Sequence, residues 1–128
     1  MSVLPSMLEA KWGRIINISS IVGQTGNFGQ TNYSAAKAGL VALTKSLARE
    51  TARKGVTVNA VAPGMVRTKF SEPFWSNSDI YEQIIKTIPL ARIAEPVDVA
   101  WAVLFLCSEA SDFITGQTMM VDGGASAV

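Results

Sequence analysis

The sequence predicts an α/β fold of three parallel strands flanked by helices, and three observations carry the prediction. Arg14-Ile15-Ile16-Asn17-Ile18-Ser19 and Val56-Thr57-Val58-Asn59-Ala60-Val61 are short runs dense in β-branched residues, which prefer strands. Between them, residues 31–54 carry an apolar stripe at near-helical spacing. Hydrophobic residues make up 48% and charged residues 16% of the 128 positions, a balance suited to strands buried on both faces between helices.

Taken in order, residues 3–11 read as a short helix ended by Gly13. The first strand covers 14–19. Gly23, Gly26 and Gly29 space out a loop to about residue 30. The long helix then runs from 31 to 54, with Ala35, Ala36, Leu40, Leu43, Leu47 and Ala48 on its apolar stripe and Gly55 closing it. The second strand, 56–61, ends at Pro63-Gly64. Residues 65–90 are mixed, with a helix near 78–87. Glu95-Pro96-Val97-Asp98 opens a helix to about 108, with proline well placed in the first turn. The last strand is 117–122. The order α-β-α-β-α-α-β implies parallel strands joined by right-handed crossovers. The chain holds no internal repeat, linker or low-complexity segment.

The stretch Tyr33-Ser34-Ala35-Ala36-Lys37 carries the chemistry. On a helix, positions i and i+4 share a face, so the phenol of Tyr33 and the ammonium of Lys37 lie side by side. A cation beside a phenol favours the phenolate and suits the pair to general acid–base work. Ser20 stands thirteen positions before Tyr33, at the end of the first strand. A hydroxyl at the carboxyl end of a parallel strand faces the crevice where open α/β sheets bind ligands. Ser19 is the neighbouring alternative, but adjacent strand residues face opposite ways and the spacing favours Ser20. Asn17 sits mid-strand and reads as a structural hydrogen-bonding residue.

These residues belong to a longer series: Gly29-Gln30-Thr31-Asn32-Tyr33-Ser34-Ala35-Ala36-Lys37-Ala38-Gly39, Val56 to Gly64, Thr115-Gly116-Gln117 and Val121-Asp122-Gly123-Gly124. The series resembles the short-chain dehydrogenase/reductase family along nearly the whole chain. Within the family it is most similar to reductases of 3-oxoacyl thioesters on acyl-carrier protein or on CoA. Gly23-Gln24 and Phe28-Gly29-Gln30-Thr31-Asn32 lean toward the acetoacetyl-CoA type. The resemblance covers the second half of that family's fold. Residues 1–128 therefore read as a carboxyl-terminal portion, a partial Rossmann-like, doubly wound fold without its first mononucleotide-binding half. No G-x-G-x-x-G phosphate loop precedes Ser20, and the family's Asn-Asn-Ala-Gly strand end and helix asparagine are absent.

The resemblance implies NADP(H) as cofactor and does not separate it from NAD(H). It gives Tyr33 the role of catalytic acid, Lys37 a hydrogen bond to the nicotinamide ribose, and Ser20 a hold on the substrate carbonyl. Pro63-Gly64-Met65-Val66-Arg67-Thr68 resembles the family's P-G-x-x-x-T loop, in which the Val66 backbone and Thr68 hydroxyl meet the nicotinamide carboxamide. Glycine at 64 lets the backbone approach a ligand closely. Gln30, Phe70, Phe74 and Trp75 are the expected substrate contacts. The aromatics of the 69–88 insert read either as lining for an acyl or pantetheine arm or as packing within a loop. Lys11, Arg14, Arg53 and Lys54 flank the start of the first strand and the end of the long helix; the resemblance implies carrier-protein contacts for Lys11 and Lys54, while Arg53 and Lys54 also read as cations at a helix end.

Composition narrows the field further. A net charge of +1 gives no general reason to invoke nucleic acid or an anionic membrane. No histidine and one cysteine leave a zinc site almost no ligands, so no metal is expected. A single cysteine fits a reducing compartment, and no secretory signal is legible, so the expected location is cytoplasmic. Cys107, inside Val103-Leu104-Phe105-Leu106-Cys107, reads as core filler. Three functions stay open: the working portion of a 3-oxoacyl-thioester reductase, an inactive remnant serving as an interaction module, and one half of a split reductase. By itself the polypeptide is expected to be inactive and to associate, with itself or with a complementary amino-terminal half.

Overall fold

The computed structural model describes residues 3–127. Its elements are α1 (Leu4–Ala10), β1 (Gly13–Ile18), α2 (Val22–Thr25), α3 (Thr31–Thr51), β2 (Val56–Pro63), α4 (Glu72–Trp75), α5 (Ser78–Lys86), α6 (Pro96–Cys107) and β3 (Thr118–Val121). The strands form one parallel sheet in the order β1-β2-β3, as the alternation of elements predicts. It is a part of a doubly wound α/β fold. No described helix is long and apolar enough to cross a membrane.

β2 is the centre of the sheet, and Val56, Val58, Ala60, Val61 and Ala62 are all fully buried. Strand alternation divides them between two layers. On one face Val56 and Val58 pack with Leu47 and Ala48 of α3, joined by Leu4, Met7 and Leu8 of α1 and Ile15 of β1. Asn17, on the same face, donates through Nδ2 to Thr44 Oγ1 at 2.9 Å, the structural role its position suggested. On the other face α6 lies over all three strands, with Leu106 buried beneath it. Asn59 faces that side, fully buried, and its amide is fully used. Nδ2 donates to Ile114 O at 2.9 Å and Oδ1 accepts from Gln117 N at 3.0 Å. With Gly116 N on Val58 O at 2.7 Å and Ala60 N on Gln117 O at 2.8 Å, this side chain fixes where the chain enters β3.

Several local expectations are corrected. The left-handed residue that ends α1 is Lys11 (φ 51°), not Gly13, which opens β1 with no room for a side chain beside Met7. The glycine-spaced loop contains the single-turn helix α2, and α4 adds a turn inside the mixed segment. Of the α3 stripe, Leu47 and Ala48 are buried while Ala35, Ala36 and Leu43 are exposed, because the sheet covers only the second half of the helix. Cys107 is exposed, not core filler. α6 is apolar on its outward face too, with Val97, Trp101 and Leu104 in solvent, so apolar neighbours did not signal burial there. Gly55 is confirmed as the closing residue. It lies at φ 76°, and a Cβ there would sit 2.0 Å from the Lys11 carbonyl oxygen.

Two predictions follow from this packing. Asn59→Ala leaves the Ile114 carbonyl and the Gln117 amide without buried partners, and should cost about 2–4 kcal/mol in urea unfolding; a loss below about 0.5 kcal/mol would contradict the role assigned to Asn59. In β1 the odd residues bond to β2, as Gly13 N to Gly55 O and Ser19 N to Val61 O show. Arg14, Ile16 and Ile18 therefore turn their peptide groups to the open edge. Such an edge invites pairing. The 128-residue chain alone should sediment at micromolar concentration as an oligomer, and a single compact monomer would refute this.

Candidate active site at the carboxyl ends of the first two strands

The site begins where β1 leaves the sheet. Ser19 N continues the ladder to Val61 O at 2.8 Å, and Ile21 N bonds to Pro63 O at 3.0 Å, so the chain stays beside β2 past the strand end. Ser19 is buried, and its Oγ donates to the carbonyl of Lys37 at 2.9 Å. The alternation argument holds: Ser19 is committed to α3, while the half-buried Ser20 has only a long contact, accepting from Val22 N at 3.4 Å.

Lys37 is held at both ends. Its backbone carbonyl takes the Ser19 bond, and its Nζ donates to Ile18 O at 2.9 Å, on the open edge of β1. Gly23 of α2 packs so closely that a Cβ would lie 2.9 Å from the Lys37 carbonyl carbon. An ammonium has three donors, so two remain. Nζ also lies 5.5 Å from the centroid of the Tyr33 ring, the neighbourhood expected from the i, i+4 spacing. Tyr33 is 45% exposed, its ring open to a ligand. The carboxyl end of β1 thus gathers Ser20, the Lys37 ammonium and, beside that ammonium, Tyr33.

The second arm leaves β2. Gly64 N bonds Val121 O at 3.0 Å, and a Cβ on Gly64 would lie 2.9 Å from the Asp122 Cβ. The close approach that Gly64 permits is thus to Asp122 of its own chain. Burial pushes the Asp122 carboxyl up, but hydrogen bonds from Ser126 and from the Gly124 amide outweigh it and hold it below the usual carboxylate range. Val66 pairs with Ala94: Arg67 N donates to Ala94 O at 2.8 Å and Ala94 N to Met65 O at 3.0 Å. In a parallel bridge this turns the Val66 N–H the other way, where it has no acceptor among the described residues. The Val66 carbonyl accepts from Ser71 Oγ, whose oxygen also lies 3.2 Å from Thr68 Oγ1. Sequence reasoning named Ser19 and Gly23 but not their contacts with Lys37, and it missed Ser71, which touches Thr68 and Val66 from behind. A Thr-x-x-Ser hydroxyl turn was the legible signal for Ser71.

The residues present fit the nicotinamide end of a dinucleotide. Two Lys37 N–H groups and the unpaired Val66 N–H are donors suited to a ribose and a carboxamide oxygen, and Thr68 Oγ1, bonded to Ser71 Oγ, keeps acceptor capacity for the carboxamide amine. The expected substrate residues are less unified. Gln30 is half-buried before α3, its side-chain oxygen taken by Asn27 at 3.3 Å. Phe70 is 94% exposed, Phe74 is exposed, and Trp75 is half-buried with Nε1 bonded to Thr68 O at 3.1 Å. Arg14 is committed to an ion pair with Asp112 and lies 5.3 Å from the Trp12 ring centroid. Lys11, Arg53 and Lys54 are exposed.

Residues 1–126 match the family model described as enoyl-(acyl carrier protein) reductase. Among curated proteins, 3-oxoacyl-[acyl-carrier-protein] reductase FabG of Aquifex aeolicus is 50% identical over 121 residues, covering 94% of this chain and 48% of that protein. Among solved structures, an oxidoreductase of the short chain dehydrogenase/reductase family from Burkholderia thailandensis superposes with a TM-score of 0.92 at 44% identity, over 99% of this chain and 50% of that one. A gluconate 5-dehydrogenase from Burkholderia cenocepacia, in complex with NADP and tartrate, gives a TM-score of 0.94 at 31% identity, over 99% and 50%. The chain spans about half the length of the curated relatives it matches.

Beside the turn that delivers Ala94 to Val66, Arg92 Nη1 and Nη2 meet the Asp98 carboxylate at 2.7 and 3.0 Å. The Arg92 hydrogen bond, and then the Glu95 amide, lower the Asp98 carboxyl from 3.8 to about 2. A depressed carboxyl stabilises the fold above its unfolded pKa, and the contribution is lost as pH falls through the folded value. The melting-temperature gap between the wild-type chain and Asp98→Asn should therefore be full above pH 3.8 and close as pH drops through about 2. A gap independent of pH across that window would show that the Arg92–Asp98 pair adds nothing.

Proposed function

The chain belongs to the short-chain dehydrogenase/reductase family, and we propose that it is the substrate-side, proton-donating half of an NADP(H)-dependent reductase of 3-oxoacyl thioesters. The observation that carries the proposal is Lys37, tethered to the end of β1 with its ammonium 5.5 Å from the Tyr33 ring centroid. The half identity to FabG reductases supports the 3-oxoacyl substrate, and NADP in the gluconate dehydrogenase structure supports the cofactor. Its acyl carrier would be acyl-carrier protein or CoA.

In this reading Ser20 donates a hydrogen bond to the 3-oxo oxygen, a bond that strengthens as the oxygen gains charge. Tyr33 donates its proton to the same oxygen, completing the 3-hydroxyl group, and the Lys37 ammonium stabilises the phenolate left behind. Lys37 would also hold the nicotinamide ribose, and Val66 N–H with Thr68 Oγ1 the carboxamide. Bound there, the nicotinamide supplies the hydride that the carbonyl carbon accepts. The matching family model is named for enoyl reduction, in which hydride goes to a carbon–carbon double bond. Two hydroxyls, Ser20 and Tyr33, favour the 3-oxo reading, where charge develops on one oxygen that both would meet. A second reading, in which the chain works by joining a complementary half, is favoured by the open edge of β1.

The test is a chimera in which these 128 residues replace the matching half of the Aquifex aeolicus relative. It should oxidise NADPH in the presence of acetoacetyl-CoA, and Tyr33→Phe should lower kcat by roughly 10²–10⁴. A folded, NADPH-binding chimera that reduces no 3-oxoacyl thioester would sink the proposal, as would one indifferent to Tyr33→Phe. The 128-residue chain alone should bind NADPH weakly or not at all, read by fluorescence titration, and micromolar affinity would overturn that expectation.

A further inference from the structure

A second group of polar atoms lies outside the reduction chemistry. Arg67, between Val66 and Thr68, has its guanidinium 4.9 Å from the Trp75 ring centroid and 5.9 Å from that of Tyr81. Its Nε donates to Glu95 Oε1 at 2.9 Å. An arginine carries five N–H donors, and the four on its terminal nitrogens have no acceptor among the described residues. The side chain borders an open cavity of about 370 Å³ shared with Trp75, Ser76, Ser78 and Tyr81. The hydroxyls of Ser76, Ser78 and Tyr81 also lack a hydrogen-bond partner among the described residues.

We infer that Arg67, with the hydroxyls of Ser76, Ser78 and Tyr81, forms a subsite for an anionic oxygen cluster carried by the substrate at a distance from its reacting carbonyl. The cation–π contacts with Trp75 and Tyr81 and the bond to Glu95 restrict the guanidinium, so less side-chain freedom is left to lose on binding. Glu95 occupies the Nε edge and leaves the terminal fork free, the geometry that pairs with phosphate or carboxylate. The cavity wall is joined to the nicotinamide-end loop, because the Trp75 indole donates to the Thr68 carbonyl at 3.1 Å. Phosphate on a pantetheine arm and carboxylate on a small hydroxy acid share this chemistry. The inference rests on the thioester-reductase reading, which selects the phosphate.

The experiment titrates the full 128-residue chain, labelled with ¹⁵N, with 4′-phosphopantetheine, pantetheine and tartrate. The Trp75 indole resonance, assigned with Trp75→Phe, is followed, and circular dichroism checks each variant's fold. Phosphopantetheine should bind at least about tenfold tighter than pantetheine. Arg67→Gln should abolish that advantage, and Tyr81→Phe, which keeps the ring, should reduce it. Binding of tartrate with the same Arg67 dependence, and none of phosphopantetheine, would keep the subsite and overturn the thioester reading. No preference for either anion over pantetheine, or a preference that survives both substitutions, would overturn the subsite itself. The chimera assay reads the carbonyl chemistry independently of this result.

Discussion

The double hold on Lys37 is the constraint on which the site depends. Ser19 Oγ grips its carbonyl and the Ile18 carbonyl grips its ammonium, so the amino-terminal part of α3 is fixed against the end of β1 at a stretch of helix the sheet does not cover. Exposed Ala35, Ala36 and Leu43 supply no burial there. The α2 turn packs against the same stretch, with Gly23 close to the Lys37 backbone. Tyr33 stands one turn before Lys37 and inherits its position.

The same strand ends that terminate the sheet supply the donors. β1 and β2 run parallel, and the polar groups freed beyond their carboxyl ends make the two arms of the candidate site. On β1 these are Ser20 and, through Lys37, the Ile18 carbonyl. On β2 they are the N–H of Val66 and the hydroxyl of Thr68, held by Ser71 and by the bridge to Ala94. Asp98 and Asp122 stabilise this second arm as carboxylates, each accepting backbone or arginine hydrogen bonds. Packing under β2 is apolar and tight.

Much of this was legible in the sequence, for identifiable reasons. β-Branched runs bounded by glycine or proline located β1 and β2, and i, i+4 spacing located Tyr33 beside Lys37, because both rules are local. The two-residue alternation of a strand sets Ser19, buried and bonded to the Lys37 carbonyl, apart from the half-buried Ser20. What local rules could not give were contacts between distant segments. That Ser19 serves Lys37, that Gly64 makes room for Asp122, and that Arg67 lies between Trp75 and Tyr81 all depend on how far apart the folded elements stand. Exposure of Cys107 escaped for a related reason: α6 is apolar on all sides, and pattern alone does not say which side the sheet covers.

The most direct measurement uses Ser19, which touches neither substrate nor cofactor in the proposed site. In the active chimera, Ser19→Ala removes one of the two holds on Lys37 while leaving Ser20, Tyr33 and Lys37 intact. If that hold positions the acid, kcat should fall by at least about tenfold with little change in KM, since small misplacements of reacting groups are costly. Ser19→Thr, which keeps the hydroxyl, should restore it. An alanine variant that loses stability but keeps its full kcat would contradict the claim that the polar hold on Lys37 builds the site.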